Sequence, residues 1–385
     1  MASIQKDVCQ GYKAKLKEGR EAEAEFMDSF RAGLRSGQIR ADEFSIRGLA
    51  EGLVEDGREW VASLDPAHES LVEANVVNTA AFKNITGQII YSEVMAAFEM
   101  PAFIGSSLVR TISTRLSGEK IPGVTRLGDM AESVGEASPY PTAGFGEEWT
   151  DTPATTKRGF IVPVTKEAIF FDRTNLVLER ARQVGEWLGV NKEKRILDTV
   201  LGITTSYRRN GGAAQATYGD TPWDNLSAST PLVDWKSIET AELLFDAMTD
   251  PNTGEPISIM PNTIVVPTGL RRTAELIVGA SSVARVTPGY ATSGNPTYAT
   301  SGNPVSGYRV VTSPWVKNRT SSATTWFIGD FQKAFAYMEN WPITVVQAPA
   351  NSPAEFERDI VAQFKASERG AAAVMEPRQV VKCTA

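Results

Sequence analysis

The residues of this 385-residue chain that are able to do chemistry are few and scattered. A single histidine, His68, stands in a charged stretch, so a Ser-His-Asp or Cys-His arrangement would have to use that residue. Cys9 and Cys383 lie near opposite ends, and neither belongs to a close pair typical of zinc or redox motifs. The sequence contains no HExxH, GxSxG, GxGxxG or GxxxxGKS/T pattern. We therefore predict no catalytic residue, no metal site, no cofactor and a plain surface role for His68.

Three weaker candidates for a binding or catalytic site are better explained as ordinary surface features. DPNTGEP at 250–256 resembles the start of a calcium loop but lacks the spaced acidic ligands and the closing Glu, which favours a turn. Arg208 and Arg209 beside a glycine pair could hold a phosphate, although a solvated loop is the favoured interpretation. Neighbours on a strand point to opposite faces, so Glu147 and Glu148 would not share a substrate. We expect them to be solvated or to pair with basic groups on a neighbouring subunit.

The bulk composition excludes several classes of protein. The formal net charge is −7 and the isoelectric point is about 5.2, whereas a protein that grips phosphates usually carries a basic face. The N-terminus has no apolar run typical of a signal peptide. Glu93, Glu99 and Pro101 interrupt the most apolar long stretch, 87–109, so no membrane span is predicted.

The first 65 residues are charged and helix-prone, which predicts an amphipathic helical arm. Phe26, Phe30 and Leu34 recur every four residues and so share one helix face. Asp42 or Ser45 is suited to cap a second short helix. Because one helix cannot bury such a stripe alone, we expect the arm to pack on a partner or on another subunit.

The segment from Gly118 to Thr156 has Gly or Pro every few residues and no helical periodicity. A segment of this length without regular structure is unusual inside a compact domain, so a two-stranded flap is predicted. The flap returns through a strand in which Phe160, Val162 and Val164 alternate with Ile161, Pro163 and Thr165. Pro163 places this strand at an edge or a bulge.

A long helix is predicted after the flap. Asp172 or Asn175 is suited to cap its start, and Gly202 is suited to end it. Steps of three and four residues define one apolar face, formed by Val177, Ala181, Val184 and Leu188 and continued by Ile196 and Val200.

The second half of the sequence alternates helices, strands and loops. Residues 203–233 read as a loop, Asp234 as a helix cap, 262–267 as a buried strand and 268–278 as a helix. The heptapeptide YATSGNP occurs at 290–296 and again at 298–304 and is expected to form an exposed loop. Strands are then predicted in YRVVTSPWV, TTWFIGD, FAYMEN and ITVVQAP, and the closing segment is expected to complete a sheet with strands or short helices.

Over about residues 85–382, this order of elements resembles the major capsid proteins of tailed bacteriophages with the Hong Kong 97 fold, which encapsulin nanocompartments share. The segment TKRGFIVPVTKEAIFFDRTNLVLERARQVGEWLGVNKEKRILDTVLG is similar to the family's P-domain strand and spine helix. WKSIETAELLFDAM followed by NTIVVPTGLRRTAELI is similar to its A domain. In WFIGDFQKAFAYMENWPITVVQAP a strand ends at Gly329-Asp330-Phe331, as in the family.

The resemblance implies an α+β fold of Hong Kong 97 type. The implied divisions are a helical N-terminal region and N-arm at 1–114, an extended E-loop at 115–160, a P domain with the spine helix at 161–233, an A domain at 234–340 and return strands to the P domain at 341–385.

The resemblance also implies that the flap contacts neighbouring subunits. The candidate contact residues are Lys120, Arg126, Glu147, Glu148 and Trp149. Some family members crosslink a flap lysine to an asparagine on a neighbour with the help of a glutamate. The matching C-terminal positions here are Ile360 and Ser367, so no isopeptide crosslink of Lys120 is predicted.

The implied function is structural and not enzymatic: self-assembly into the pentamers and hexamers of an icosahedral shell around double-stranded DNA. The implied partners are further copies of the chain, portal and scaffold or decoration proteins, and packaged DNA without sequence-specific contacts, with no membrane. The implied location is the virion capsid, with assembly in the host bacterial cytoplasm. Alternatives are an encapsulin-like compartment with protein cargo, a hydrolase on an α+β scaffold, or another virion part such as a portal or tail protein.

Overall fold

The computed structural model describes residues 2–64, 76–100, 103–125, 134, 146–219, 223–249, 254, 256–286, 298–348 and 358–385. The chain divides into two compact units. The first unit combines 1–101, 157–191 and 341–369, and the second combines 102–156, 192–340 and 370–385. Both contain helices and strands, which confirms the predicted α+β class.

The helices are α1 (Ala2–Glu18), α2 (Arg20–Ser36), α3 (Ile46–Leu53), α4 (Gly57–Ser63), α5 (Val76–Phe98), α6 (Gly105–Leu108), α7 (Lys166–Phe170), α8 (Thr174–Val200), α9 (Trp235–Asp246), α10 (Arg271–Gly279), α11 (Pro314–Thr320) and α12 (Phe331–Ala334). In the part of the chain that the structure describes, short 3₁₀ turns lie at Ala41–Glu43, Thr268–Leu270 and Pro377–Gln379. No helix of the described residues is long and apolar enough to cross a membrane.

The strands are β1 (Arg110–Ser113), β2 (Lys120–Thr125), β3 (Gly146–Asp151), β4 (Thr156–Thr165), β5 (Leu226–Ser227), β6 (Thr263–Pro267), β7 (Ser282–Val286), β8 (Tyr298–Gly302), β9 (Arg309–Ser313), β10 (Trp326–Gly329), β11 (Phe335–Gln347), β12 (Ile360–Val374) and β13 (Val380–Cys383). They form sheets of order β1-β11-β12-β4 and β5-β13-β10-β6-β9, and the hairpins β2-β3 and β7-β8. β4 is an edge strand, as the position of Pro163 predicted.

The N-terminal helices belong to the core of the first unit. Phe30 and Leu49 are buried in the same hydrophobic cluster as Val162 of β4 and Phe364 of β12. The predicted cap of α3 is confirmed, since the Ser45 hydroxyl accepts a hydrogen bond from the Gly48 N–H. The predicted apolar stripe of α2 is also confirmed, but it packs on its own chain. The expectation of a separate partner was therefore wrong for this stripe, because helices folded together bury one another's apolar faces.

The long helix α8 follows the predicted pattern closely. It begins at Thr174, between the two predicted caps, and ends before Gly202, whose φ of 68° is the left-handed geometry that glycine adopts readily. The six residues predicted to form its apolar face are all buried: Val177, Ala181, Val184, Leu188, Ile196 and Val200.

In the second unit, the strand β6 is apolar at nearly every position because both of its faces are buried. Ile264 and Val266 belong to one hydrophobic cluster, while Val265 between them belongs to another. Side chains alternate across a sheet, so a strand covered on both faces must be apolar at every position. The predicted cap of α9 is confirmed, because the Asp234 carboxylate accepts from the Lys236 and Ser237 N–H groups.

In the second half of the chain, one prediction was wrong and another was right for only part of its segment. Tyr298–Gly302, from the second YATSGNP copy, forms strand β8 paired with Ser282–Val286 instead of a loop, and the first copy lies outside the described residues. Alternating Tyr, Ala, Thr and Ser suit a strand once a partner strand is present. The segment YRVVTSPWV was predicted as a strand throughout, and the structure confirms this only for Arg309–Ser313, strand β9. The Ser313 hydroxyl accepts from the Trp315 N–H and Pro314 takes the first helical turn, which starts α11.

Candidate assembly interface

The predicted flap is rooted in a regular hairpin. β2 and β3 pair antiparallel, with Lys120 opposite Asp151 at one end and Thr125 opposite Gly146 at the other. The predicted two-stranded flap is therefore confirmed at its root. Arg126 lies outside the described residues, and of Glu147 only the backbone position opposite Val124 is described.

A loop of the second unit holds the returning strand of the flap. The Trp149 N–H donates to the Asn210 side-chain oxygen, and the Asn210 N–H donates to the Trp149 carbonyl, both at 3.0 Å. The Asp151 N–H donates to the Arg208 carbonyl at 3.0 Å, and the Gly211 N–H donates to the Asp151 carboxylate at 2.9 Å. We call residues 207–212 the clasp.

The sequence of the clasp explains its shape. Asn210 and Gly211 both have positive φ, at 52° and 72°, and these two residue types adopt that geometry at the least cost. The resulting tight turn allows the clasp both to donate and to accept hydrogen bonds along β3. The predicted loop character of this segment is confirmed, but its function of holding the flap was not visible in the sequence, because the two segments are far apart along the chain.

Side chains reinforce the clasp. Glu148 forms an ion pair with Arg209, and each side chain is only about a fifth exposed. The Lys120 ammonium lies over the Trp149 ring, 4.8 Å from its centroid, a favourable cation–π distance. Lys120, Glu148 and Trp149 therefore meet at the root of the flap. Whether they also contact a neighbouring subunit stays a prediction.

A polar groove of about 550 Å³ opens beside this root. Arg209 and Arg378 line it, but Arg209 pairs with Glu148, and Arg378 makes two 2.7 Å hydrogen bonds to the Glu376 carboxylate. Arg378 also lies over the Trp223 ring. Because both guanidinium groups already have carboxylate partners, the groove does not support phosphate binding by Arg209.

A buried glutamate fixes the chain where it enters the second unit. The Glu193 carboxylate accepts hydrogen bonds from the Ile104 and Gly105 N–H groups at 2.8 to 3.0 Å. A side chain at Gly105 would place its Cβ 2.6 Å from this carboxylate, so glycine is required for the approach. Burial raises the pKa of Glu193, while the two backbone hydrogen bonds act in the opposite direction. Sequence analysis missed this contact, whose only signal was a charged residue on the apolar side of α8.

The Gly329-Asp330-Phe331 turn confirms the predicted end of a strand. Gly329 has a φ of 155°, and a Cβ there would lie 2.2 Å from the Gln379 carbonyl oxygen. The Asp330 N–H donates to that same carbonyl, and its carboxylate caps α12 through the Lys333 N–H. The turn therefore brings the C-terminal strand β13 against β10, where Gly329 pairs with Val380.

Each unit exposes large apolar side chains that sequence analysis did not single out. In the second unit, Val233, Leu243, Met260 and Leu276 are each more than 60% exposed. In the first unit, the exposed rings of Phe160 and Trp187 meet edge to face at 5.6 Å.

The described residues offer little to a catalytic mechanism. They contain no group of three or more His, Cys, Asp or Glu side chains placed to hold a metal ion. Burial raises the pKa of the Cys9 thiol to about 11 and that of Cys383 to about 12. Both thiols are therefore protonated at neutral pH and are poor nucleophiles. His68 lies outside the described residues.

A family model described as phage capsid protein matches residues 149–383, which is well over half of the chain. The chain therefore belongs to the phage capsid protein family. This membership confirms the predicted class, a structural major capsid protein that builds the virion shell by self-assembly.

Solved structures that overlap with this fold include chains from two phages and an encapsulin. The chain from Gordonia phage Cozz is 14% identical, with 82% of this chain and 98% of that chain covered at a TM-score of 0.43. The chain from Microbacterium phage Oxtober96 is 16% identical, with coverages of 74% and 92% and a TM-score of 0.44. The SrpI encapsulin complex of Synechococcus elongatus PCC 7942 is 10% identical, with coverages of 74% and 87% and a TM-score of 0.43. No curated protein matches the chain.

Proposed function

We propose that this capsid protein forms the hexamers and pentamers of an icosahedral head that encloses double-stranded DNA. It would assemble in the host bacterial cytoplasm, together with a portal and with scaffold or decoration proteins. The family match over residues 149–383 carries this proposal. The net charge of −7 supports it, since an acidic shell does not clamp the phosphates of its contents.

The flap is the proposed inter-subunit element. Its root is held by the clasp, and the segment that follows Thr125 is proposed to contact a neighbouring subunit. Lys120, Arg126, Glu147, Glu148 and Trp149 are the proposed contact residues. Each contact of this kind contributes about 4 kcal/mol, and the sum over many contacts makes shell assembly cooperative.

The protein is proposed to act without catalysis and without an isopeptide crosslink. The crosslink has no support at the two expected partner positions, since Ile360 and Ser367 are both buried and neither carries an amide or a carboxylate.

Negative-stain electron microscopy after size-exclusion chromatography tests the proposal on the full chain expressed alone. Shells, or rings of five and six subunits, are the expected result. Co-purified DNA or protein inside the shells then separates a phage head from an encapsulin-like compartment. A monodisperse monomer that remains inert with co-expressed scaffold would contradict the proposal. Denaturing electrophoresis of any shells should show single-subunit bands, because no crosslink forms.

A further inference from the structure

A groove of the described residues lies entirely within the first unit. Its volume is about 700 Å³, within the range of sites that hold ligands. One wall is a single face of α2, on which Arg20, Met27, Arg31 and Arg35 follow helical spacing. The other wall is α5, and the floor includes the buried ring of Phe364.

One side of this groove is a strand edge that pairs with no other strand of the described residues. β1 pairs with β11 only over Ala336–Glu339, and no described strand continues beside residues 341–347. On the β1 side, the Glu339 carbonyl accepts from the Thr114 N–H, whereas on the β12 side the Ala348 N–H donates to Gln363. Alternation along the strand then directs the backbone groups of Ile343, Val345 and Gln347 to the free edge. These three residues also line the groove.

An unpaired edge beside a groove is suited to an added strand. A peptide that pairs with this edge as an additional strand forms backbone hydrogen bonds to it. Every second side chain of that peptide then enters the groove. Gly87 of α5 keeps the floor open to this edge, since a Cβ there would meet the Phe364 ring at 3.0 Å.

The charges of the groove define the partner further. Arg31 is bound by Asp28 and Gln88, and the Glu23 carboxylate accepts a hydrogen bond from the Tyr12 hydroxyl at 2.5 Å. None of the ion pairs among the described residues includes Arg20 or Arg35, and both are exposed. These two cations lie fifteen positions apart on α2, about 22 Å along its axis. An extended strand covers about 20 Å in six residues.

We infer that this groove binds an extended acidic segment of another protein chain, which adds a strand to the free edge of β11. Carboxylates about six residues apart on that segment pair with Arg20 and Arg35. Alternate residues between them direct small apolar side chains onto Met27, Tyr91 and Phe364.

Fluorescence polarisation with labelled heptapeptides tests this inference on the full unassembled chain. The probe is an extended peptide, acetyl-ETVTVTE-amide, and its matched control carries lysine at both ends. We expect the glutamate peptide to bind at least tenfold more tightly, with an advantage that 0.5 M NaCl largely removes. The double variant Arg20→Ala/Arg35→Ala should lose this advantage, while Arg47→Ala, whose partner is Glu51 outside the groove, should keep it.

A second comparison tests the strand pairing. N-methylation of alternate peptide amides should abolish binding, and Val345→Pro should weaken it at least tenfold, since proline removes one edge donor yet is tolerated on edge strands. Circular dichroism checks that each variant is folded. Equal binding of the two peptides, or unchanged binding to the double variant, would overturn the inference. A further outcome would also overturn the inference. If the edge amides of β11 became protected from hydrogen exchange as the protein concentration rose, and the peptide no longer bound, the occupant of the groove would be a second copy of this chain.

Discussion

The N-terminal helices and the flap were both predicted to reach beyond their own subunit, and the structure treats them differently. The helices at residues 2–63 bury aromatic and aliphatic side chains in the core of the first unit. The flap root is held by backbone hydrogen bonds, one ion pair and one cation–π contact. The two regions differ in their content of apolar residues. A helix with an apolar face buries that face against its own chain, whereas a Gly- and Pro-rich segment has too few apolar side chains to form a core.

The largest effect on subunit stability should come from the N-terminal helices. Phe30 is 3% exposed and packs edge to face on Phe44 at 5.9 Å. Phe30→Ala should lower the free energy of unfolding by about 3–5 kcal/mol, because it removes a buried ring and leaves a cavity. Urea unfolding followed by circular dichroism measures the change. The control Leu16→Ala, at a position 49% exposed, should stay within about 0.5 kcal/mol. Equal effects of the two variants would mean that α2 is not part of the core.

The clasp should contribute less. Arg209→Ala removes the partner of the mostly buried Glu148 and should cost about 1 kcal/mol, since both side chains keep some solvent contact. Hydrogen exchange should accelerate at the Trp149 and Asp151 amides, which the clasp holds. Arg271→Ala, which breaks an exposed pair with Glu275, is the matched control and should leave these amides unchanged. Unchanged exchange in Arg209→Ala as well would show that the backbone bonds suffice.

Glu193 gives the flap's own unit a pH dependence. Its pKa is raised in the folded state, chiefly by burial, so between the unfolded and folded pKa values the folded state holds a proton that the unfolded chain has released. The free energy of unfolding therefore falls as pH rises from about pH 4 through the folded pKa. Relative to the wild type, Glu193→Gln should gain stability over that interval. Urea midpoints at several pH values measure the difference, and a constant difference would contradict the burial argument.

The smallest effect on stability should come from the flap beyond its root. Replacement of residues 126–145 by a short Gly-Ser turn keeps β2, β3 and the clasp, so the unfolding midpoint should change little. Assembly should nevertheless be lost, which electron microscopy of the same sample measures. Intact shells would remove the flap from the proposed inter-subunit contacts. A large loss of stability would instead show that the flap supports the fold of its own subunit.

Local patterns were the reliable part of the sequence analysis. The cap at Asp234, the stop at Gly202 and the apolar face of α8 depend on residues within a few turns of one another, and all are confirmed. The contacts between Glu193 and Gly105, and between Asn210 and Trp149, join segments more than 60 residues apart. Their residue types are ordinary on a surface, and the only signal in the sequence was the charge of Glu193 on the apolar side of α8.

The sequence by itself determined the class of protein, the order of its elements and the absence of recognisable catalytic motifs, because periodicity, caps and turn residues act over short distances. Only the tertiary structure decided where the N-terminal stripe is buried, which loop holds the flap, and which strand edge remains open between α2 and α5. Those features depend on which segments, distant along the chain, pack against one another. Sequences with the same local pattern can pack in different ways.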